Sequence, residues 1–142
     1  MNEHSSKPFA YVYTCYDPAI RDEIIRYCQK RFGEKNYFLD ADPGAVKNLV
    51  SPRASTDTDF VLYKIQLAIK VHPYTHLLLI NHSLCGAYAD AGITFTDDPQ
   101  AEQEYHKGQM QAAIDFLKNK IPFGIKIETH YFLKQEQKFA QL

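Results

Sequence analysis

The sequence predicts one three-layer α/β domain spanning residues 1–142, with a four-stranded, mainly parallel sheet in the order 2-1-3-4 flanked by helices. Three observations carry that prediction. Segments rich in β-branched and aromatic residues alternate with segments of helical apolar periodicity, the order that gives parallel strands joined by right-handed crossovers. The run LLLI, Leu77 to Ile80, is apolar on successive residues and suits a strand covered on both faces. Two helices open with Asp-Pro, at Asp17-Pro18 and Asp98-Pro99, an N-cap followed by proline at the first helical position.

In chain order, Phe9 to Asp17 (FAYVYTCYD) reads as strand into helix. From Pro18 to Phe32, residues Ile20, Ile24, Tyr27, Cys28 and Phe32 form one helical stripe, and Gly33 supplies the stop. Cys28 is a core residue on that stripe. Asn36 to Ala41 (NYFLDA) is a second strand. The following loop contains Pro43, Gly44 and Pro52, and its length marks it as functional. A helix from about Thr58 to Val71 buries Val61, Leu62, Ile65, Ala68 and Ile69 and ends at His72-Pro73. The third strand, Thr75 to His82 (THLLLINH), should be central. After a loop with Gly86 and Gly92, a helix from Asp98-Pro99 to about Lys120 places Tyr105, Ala112, Ala113, Phe116 and Leu117 on its buried side, and Phe123 to Lys134 forms the fourth strand.

Composition narrows the function. Hydrophobic residues make up 45% and charged residues 23%, which is ordinary globular composition, and 142 residues bury a core without disulfides. With 16 Lys and Arg against 17 Asp and Glu, no basic excess marks a nucleic-acid or anionic-membrane partner, and the ten tyrosines are therefore not read as a stacking platform. The start lacks the pattern of a secretion signal, and no apolar run reaches the roughly 18 residues of a membrane span, so a cytoplasmic location is expected. Three cysteines without an export signal argue for free thiols or thiolate ligands.

In an open parallel sheet, ligands bind beyond the C-terminal strand ends where the order reverses. Cys15 stands at the end of the first strand, and His82 and Cys85 stand at and just after the end of the third. If those strands are neighbours, two thiolates and an imidazole converge, a set that zinc favours, with a fourth position left for water or substrate. Asp17 would reach the same place, as a fourth ligand or as an acceptor for bound water. A simple N-cap is the competing role for Asp17. His4, His72, His76, His106 and His130 show no metal spacing and are assigned to surface or scaffold.

The C-x-D motif Cys15-Tyr16-Asp17, followed by the apolar strand and H-x-x-C-G at His82, Cys85 and Gly86, resembles the zinc-binding pattern of the β-class carbonic anhydrases. The loop ADPGA, Ala41 to Ala45, lies where that family carries a glycine-containing stretch, and the α/β order matches from about Phe9 to Leu133. The resemblance implies Zn2+ held by Cys15, His82 and Cys85. It further implies a lyase that hydrates carbon dioxide reversibly to bicarbonate through hydroxide held on zinc, with Asp17 as a catalytic residue. It also implies a homodimer or higher homo-oligomer.

Two departures stand out. The family pattern is C-x-D-x-R, with the arginine pairing the aspartate and keeping it off the metal; here that position is Ala19. Arg21, about one helical turn from Asp17, is the nearest candidate substitute, although it reads first as a solvated helix residue. Only eight residues precede the first strand, so the helical arm that many members lay across a partner is not expected. Three alternatives remain open: a catalytically inactive zinc-binding relative with a structural, binding or regulatory role; a hydrolase of a related small linear electrophile such as carbon disulfide; and a thiol enzyme with Cys85 as nucleophile and His82 as base, which leaves Cys15 unexplained.

Overall fold

The computed structural model describes residues 8–141, so His4 lies outside the described residues. The elements are β1 (Ala10–Thr14), α1 (Pro18–Phe32), β2 (Tyr37–Ala41), α2 (Lys47–Val50), α3 (Ser55–Val71), β3 (His76–His82), α4 (Gly86–Asp90), α5 (Pro99–Leu117), β4 (Lys126–Leu133) and β5 (Lys138–Phe139). They form a five-stranded sheet in the order β2-β1-β3-β4-β5. The four expected strands are parallel and in the expected order; the fifth, β5, runs antiparallel to β4. Two residues are too few for a period-2 signal, so β5 is set by its turn, in which Gln137 N–H bonds Leu133 C=O at 2.8 Å.

The apolar run of β3 is buried from Leu77 to His82, and all five residues of β1 are buried beside it. Side chains alternate across a strand, so the two faces of β4 identify the two helical layers. On one face, Glu128 takes a bidentate ion pair from Arg31 of α1 at 2.8 and 2.6 Å, and His130 lies against Tyr27. On the other, Tyr131 meets His106 of α5, with ring centroids 5.2 Å apart. Cys28 is fully buried on α1, as its stripe predicts.

Helix α5 departs from the expected face. Its buried residues are Glu102, His106, Met110, Ala113 and Leu117, while Ala112 is exposed. The spacing is helical, but a reading by apolar residues alone rotates the stripe because two buried positions are polar. Helix α4 occupies the stretch expected to be loop; at five residues it is below the length at which periodicity is legible.

The buried polar pair has a structural cause. Asn81 of β3 points away from His82 and donates its amide to His106 Nδ1 at 2.9 Å and to Tyr88 Oη at 3.1 Å, while its oxygen accepts from Val46 N–H at 3.3 Å. Tyr88 Oη donates to Gln109 Oε1, which also accepts from Ser51 Oγ. One side chain thus ties β3 to the α2 segment, α4 and α5, and no acceptor of Asn81 is left in a dry interior.

Burial, followed by the neighbouring His82, lowers the His106 imidazole from 6.5 to about 4. Between those values the unfolded chain binds a proton that the folded chain does not, so stability is complete above pH 6.5 and falls as pH drops toward 4. The contribution at stake is on the order of 3 kcal/mol. Urea unfolding at pH 7.5 and pH 4.5 should show a steeper loss for the wild type than for His106→Gln, which keeps an acceptor for Asn81 but cannot titrate. Equal losses would contradict this assignment.

Candidate metal centre

The register of the sheet builds the site. Thr14 of β1 lies opposite Ile80 of β3, so Cys15 leaves β1 beside the end of β3 where His82 stands. A tight turn then returns Cys85 to the same point. The ligand atoms of Cys15, His82 and Cys85 all lie within 4.8 Å of one another, and all three residues are buried.

His82 is held in one tautomer. Its Nδ1 lies 2.6 Å from the Ser83 carbonyl, which can only accept, so Nδ1 carries the proton and Nε2 presents a lone pair. That Nε2 is buried with no hydrogen-bond partner among the described residues. An orphaned nitrogen facing two sulfurs is costly in the absence of a ligand. Two thiolates bound to one tetrahedral zinc ion stand about 3.8 Å apart, and Cys15 Sγ and Cys85 Sγ are 3.9 Å apart. Donor type, donor separation and the free imidazole lone pair all fit a divalent ion such as zinc.

Residues 5–141 match the protein family described as "Putative carbonic anhydrase". The chain belongs to this family. Solved structures share its fold: a carbonic anhydrase from Streptococcus mutans (17% identity, TM-score 0.62, covering 94% of this chain and 82% of that one) and a carbon disulfide hydrolase in its apo form (14%, 0.58, 96% and 81%). A third comes from a study of two tetrameric β-carbonic anhydrases of Sordaria macrospora (19%, 0.58, 99% and 84%). None of the functionally curated proteins matches the sequence.

Within this family member the two thiols behave as a pair. Hydrogen bonding with Cys85 lowers the Cys15 thiol, against burial, with further help from His82 and the Gly44 amide. The Cys15 sulfur, followed by burial, raises the Cys85 thiol. A divalent ion held by both sulfurs would displace any proton that they retain.

Asp17 serves two roles with its two oxygens. Oδ1 caps α1 by accepting from Ala19 N–H at 2.9 Å; Oδ2 lies 4.0 Å from His82 Nε2 and 2.7 Å from Lys134 Nζ. Burial raises its carboxyl, but Lys134 and the Ala19 amide outweigh that and hold it below its ordinary value. The cation beside Asp17 is therefore Lys134, which corrects Arg21 as the possible substitute partner and leaves it as the solvated helix residue. Asp17 is the N-cap, so its side chain folds back over the first turn, whereas Arg21 projects outward and is exposed. Lys134 lies 117 positions away in sequence and reaches Asp17 only because β4 ends beside the ligand turn, where Lys134 N–H also bonds Ser83 Oγ at 2.8 Å.

The ADPGA loop forms the remaining wall. Gly44 N–H points at Cys15 Sγ, 3.4 Å away, from a backbone with φ of +79°. A Cβ there would meet both Ala87 Cβ and Lys47 Cβ at 3.1 Å. Strain and crowding act together at this position, so Gly44→Ala should cost roughly 1–3 kcal/mol of stability and weaken metal retention. Thermal melting with zinc titration would check both, and a variant matching the wild type in both would contradict the close approach.

Proposed function

We propose that this protein holds one zinc ion through Cys15, His82 and Cys85 and catalyses reversible hydration of carbon dioxide to bicarbonate. The observation that carries the reading is the pair of sulfurs at zinc-ligand separation beside the unpartnered Nε2 of His82. When bound, the ion would lower the pKa of a coordinated water so that a nucleophile is available near neutral pH. Two thiolates neutralise the ion and make it a weaker acid than a three-histidine site would, so hydrogen-bonding groups around the open position carry more of the burden.

Asp17 is the group placed for that work. Its Oδ2 stands beside the ligand triangle as a hydrogen-bond acceptor able to orient water, and Lys134 fixes that oxygen in place and balances its charge. Lys134 thereby supplies the cation that Ala19 does not, which supports an active site over an inactive relative. Cys15 and Asp17 line a cleft of about 990 Å³, bordered by Tyr16, Phe60, Gly86 and Ala87 together with polar residues. That volume also admits other small linear electrophiles. Phe60 is exposed with Tyr63, Leu67 and Val71 along one side of α3, an apolar row that supports a homo-oligomer closing the cleft.

Stopped-flow carbon dioxide hydration by the zinc-loaded protein tests the reading directly: turnover proportional to zinc content supports it, and its absence across neutral to alkaline pH refutes it. In the same assay, Lys134→Ala should reduce kcat/KM by roughly tenfold or more at unchanged zinc content, while Arg21→Ala should stay near wild type. The reverse ranking would return the role to Arg21.

A further inference from the structure

The turn that joins His82 to Cys85 contains the unusual backbone of the site. Leu84 adopts φ of +55°, the left-handed region that β-carbon-bearing residues rarely enter. Such a conformation costs on the order of 1–3 kcal/mol and persists only where its surroundings over-determine it. The Leu84 side chain provides no such hold, being 51% exposed. What holds the residue is its amide: Leu84 N–H donates to Glu102 Oε2 at 2.7 Å.

Glu102 is an expensive residue to place there. It is 8% exposed, lies on the core-facing stripe of α5, and is one of few charged or polar groups in the interior. Its position in the first turn of α5 sets the side chain near the positive end of the helix dipole. A charge-assisted bond to a backbone amide is among the stronger hydrogen bonds a protein makes. The neighbouring groups of the turn are already engaged: Ser83 N–H bonds Phe132 C=O, Ser83 Oγ accepts from Lys134 N–H, and Ser83 C=O accepts from His82.

We infer that Glu102 is a positioning residue for the metal centre: through the Leu84 amide it holds the His82–Cys85 turn in the strained conformation that brings Cys85 Sγ to Cys15 and His82. This rests on the metal-binding part of the reading above and extends it to α5. Removing the acceptor lets Leu84 relax to negative φ, and Cys85 moves away from the other two ligands.

The test uses cobalt(II) as a spectroscopic substitute for zinc, with affinity measured by chelator competition, on the wild type, Glu102→Gln, Glu102→Ala and the double variant Glu102→Ala/Leu84→Gly. Glu102→Ala should lose roughly ten- to a hundredfold in cobalt affinity and most of the thiolate-to-cobalt absorption. Glu102→Gln, which retains an acceptor oxygen, should stay within a few-fold of the wild type. The double variant should regain affinity, because glycine occupies positive φ without strain. In parallel, the metal-free proteins are treated with diamide, which takes two hydrogens from the Cys15 and Cys85 thiols to close a disulfide and is itself reduced to the hydrazine; peptide mapping gives the rate, which should fall about tenfold in Glu102→Ala. If the wild type binds no cobalt, the metal reading fails, and the disulfide rates still decide the role of Glu102. Wild-type affinity and oxidation rate in Glu102→Ala would overturn the inference, as would a loss that Leu84→Gly does not restore.

Discussion

Parallel pairing of β1 with β3 is the constraint from which the site follows. Thr14 opposite Ile80 fixes where both chains leave the sheet, and with it the approach of Cys15 to His82. A slip of one residue would send His82 to the face now occupied by Asn81 and break the cluster of Cys15, His82 and Cys85. The register is held from both sides by burial: residues Leu77 to Ile80 are fully enclosed, and a shifted strand would have to break the bonds of the Asn81 side chain to Val46, Tyr88 and His106.

The groups that shape the site lie at element ends, where backbone polarity is unspent. The cap residue of α1 contributes Asp17, the first turn of α5 contributes Glu102, and the turn after β4 contributes Lys134. The loop after β2 brings an amide to sulfur at Gly44. The Gly44 amide points at the Cys15 sulfur, Asp17 faces His82 and pairs with Lys134, and Glu102 accepts from the Leu84 amide of the His82–Cys85 turn. The result is a concentrated electrostatic arrangement in which two adjacent sulfurs, one imidazole nitrogen, one carboxylate and one ammonium group meet at the C-terminal edge of the sheet.

How far this was legible in the sequence depended on separation and on polarity. Helix α1 and the four parallel strands announce themselves through Asp-Pro caps, apolar stripes and the LLLI run, and the strand ends then point to Cys15, His82 and Cys85. Arg21 drew attention because it is near Asp17 in sequence, yet an N-cap side chain turns back and leaves a residue of the first helical turn facing solvent. Lys134 carries no local signal, since its partner is brought to it by the sheet. Glu102 and His106 were invisible to a search for apolar periodicity, because the buried face of α5 spends two of its positions on polar groups that serve β3 and the ligand turn. Strand β5 is set by the turn that returns it to β4 and, at two residues, has no pattern of its own.

The measurement that bears most directly on the central claim is zinc K-edge X-ray absorption on protein purified without chelator. The account predicts near-stoichiometric zinc with two sulfur scatterers at about 2.3 Å and nitrogen or oxygen scatterers at about 2.0–2.2 Å. A first shell without sulfur, or protein that retains no zinc when it is supplied, would contradict the assignment of Cys15, His82 and Cys85 as a metal centre.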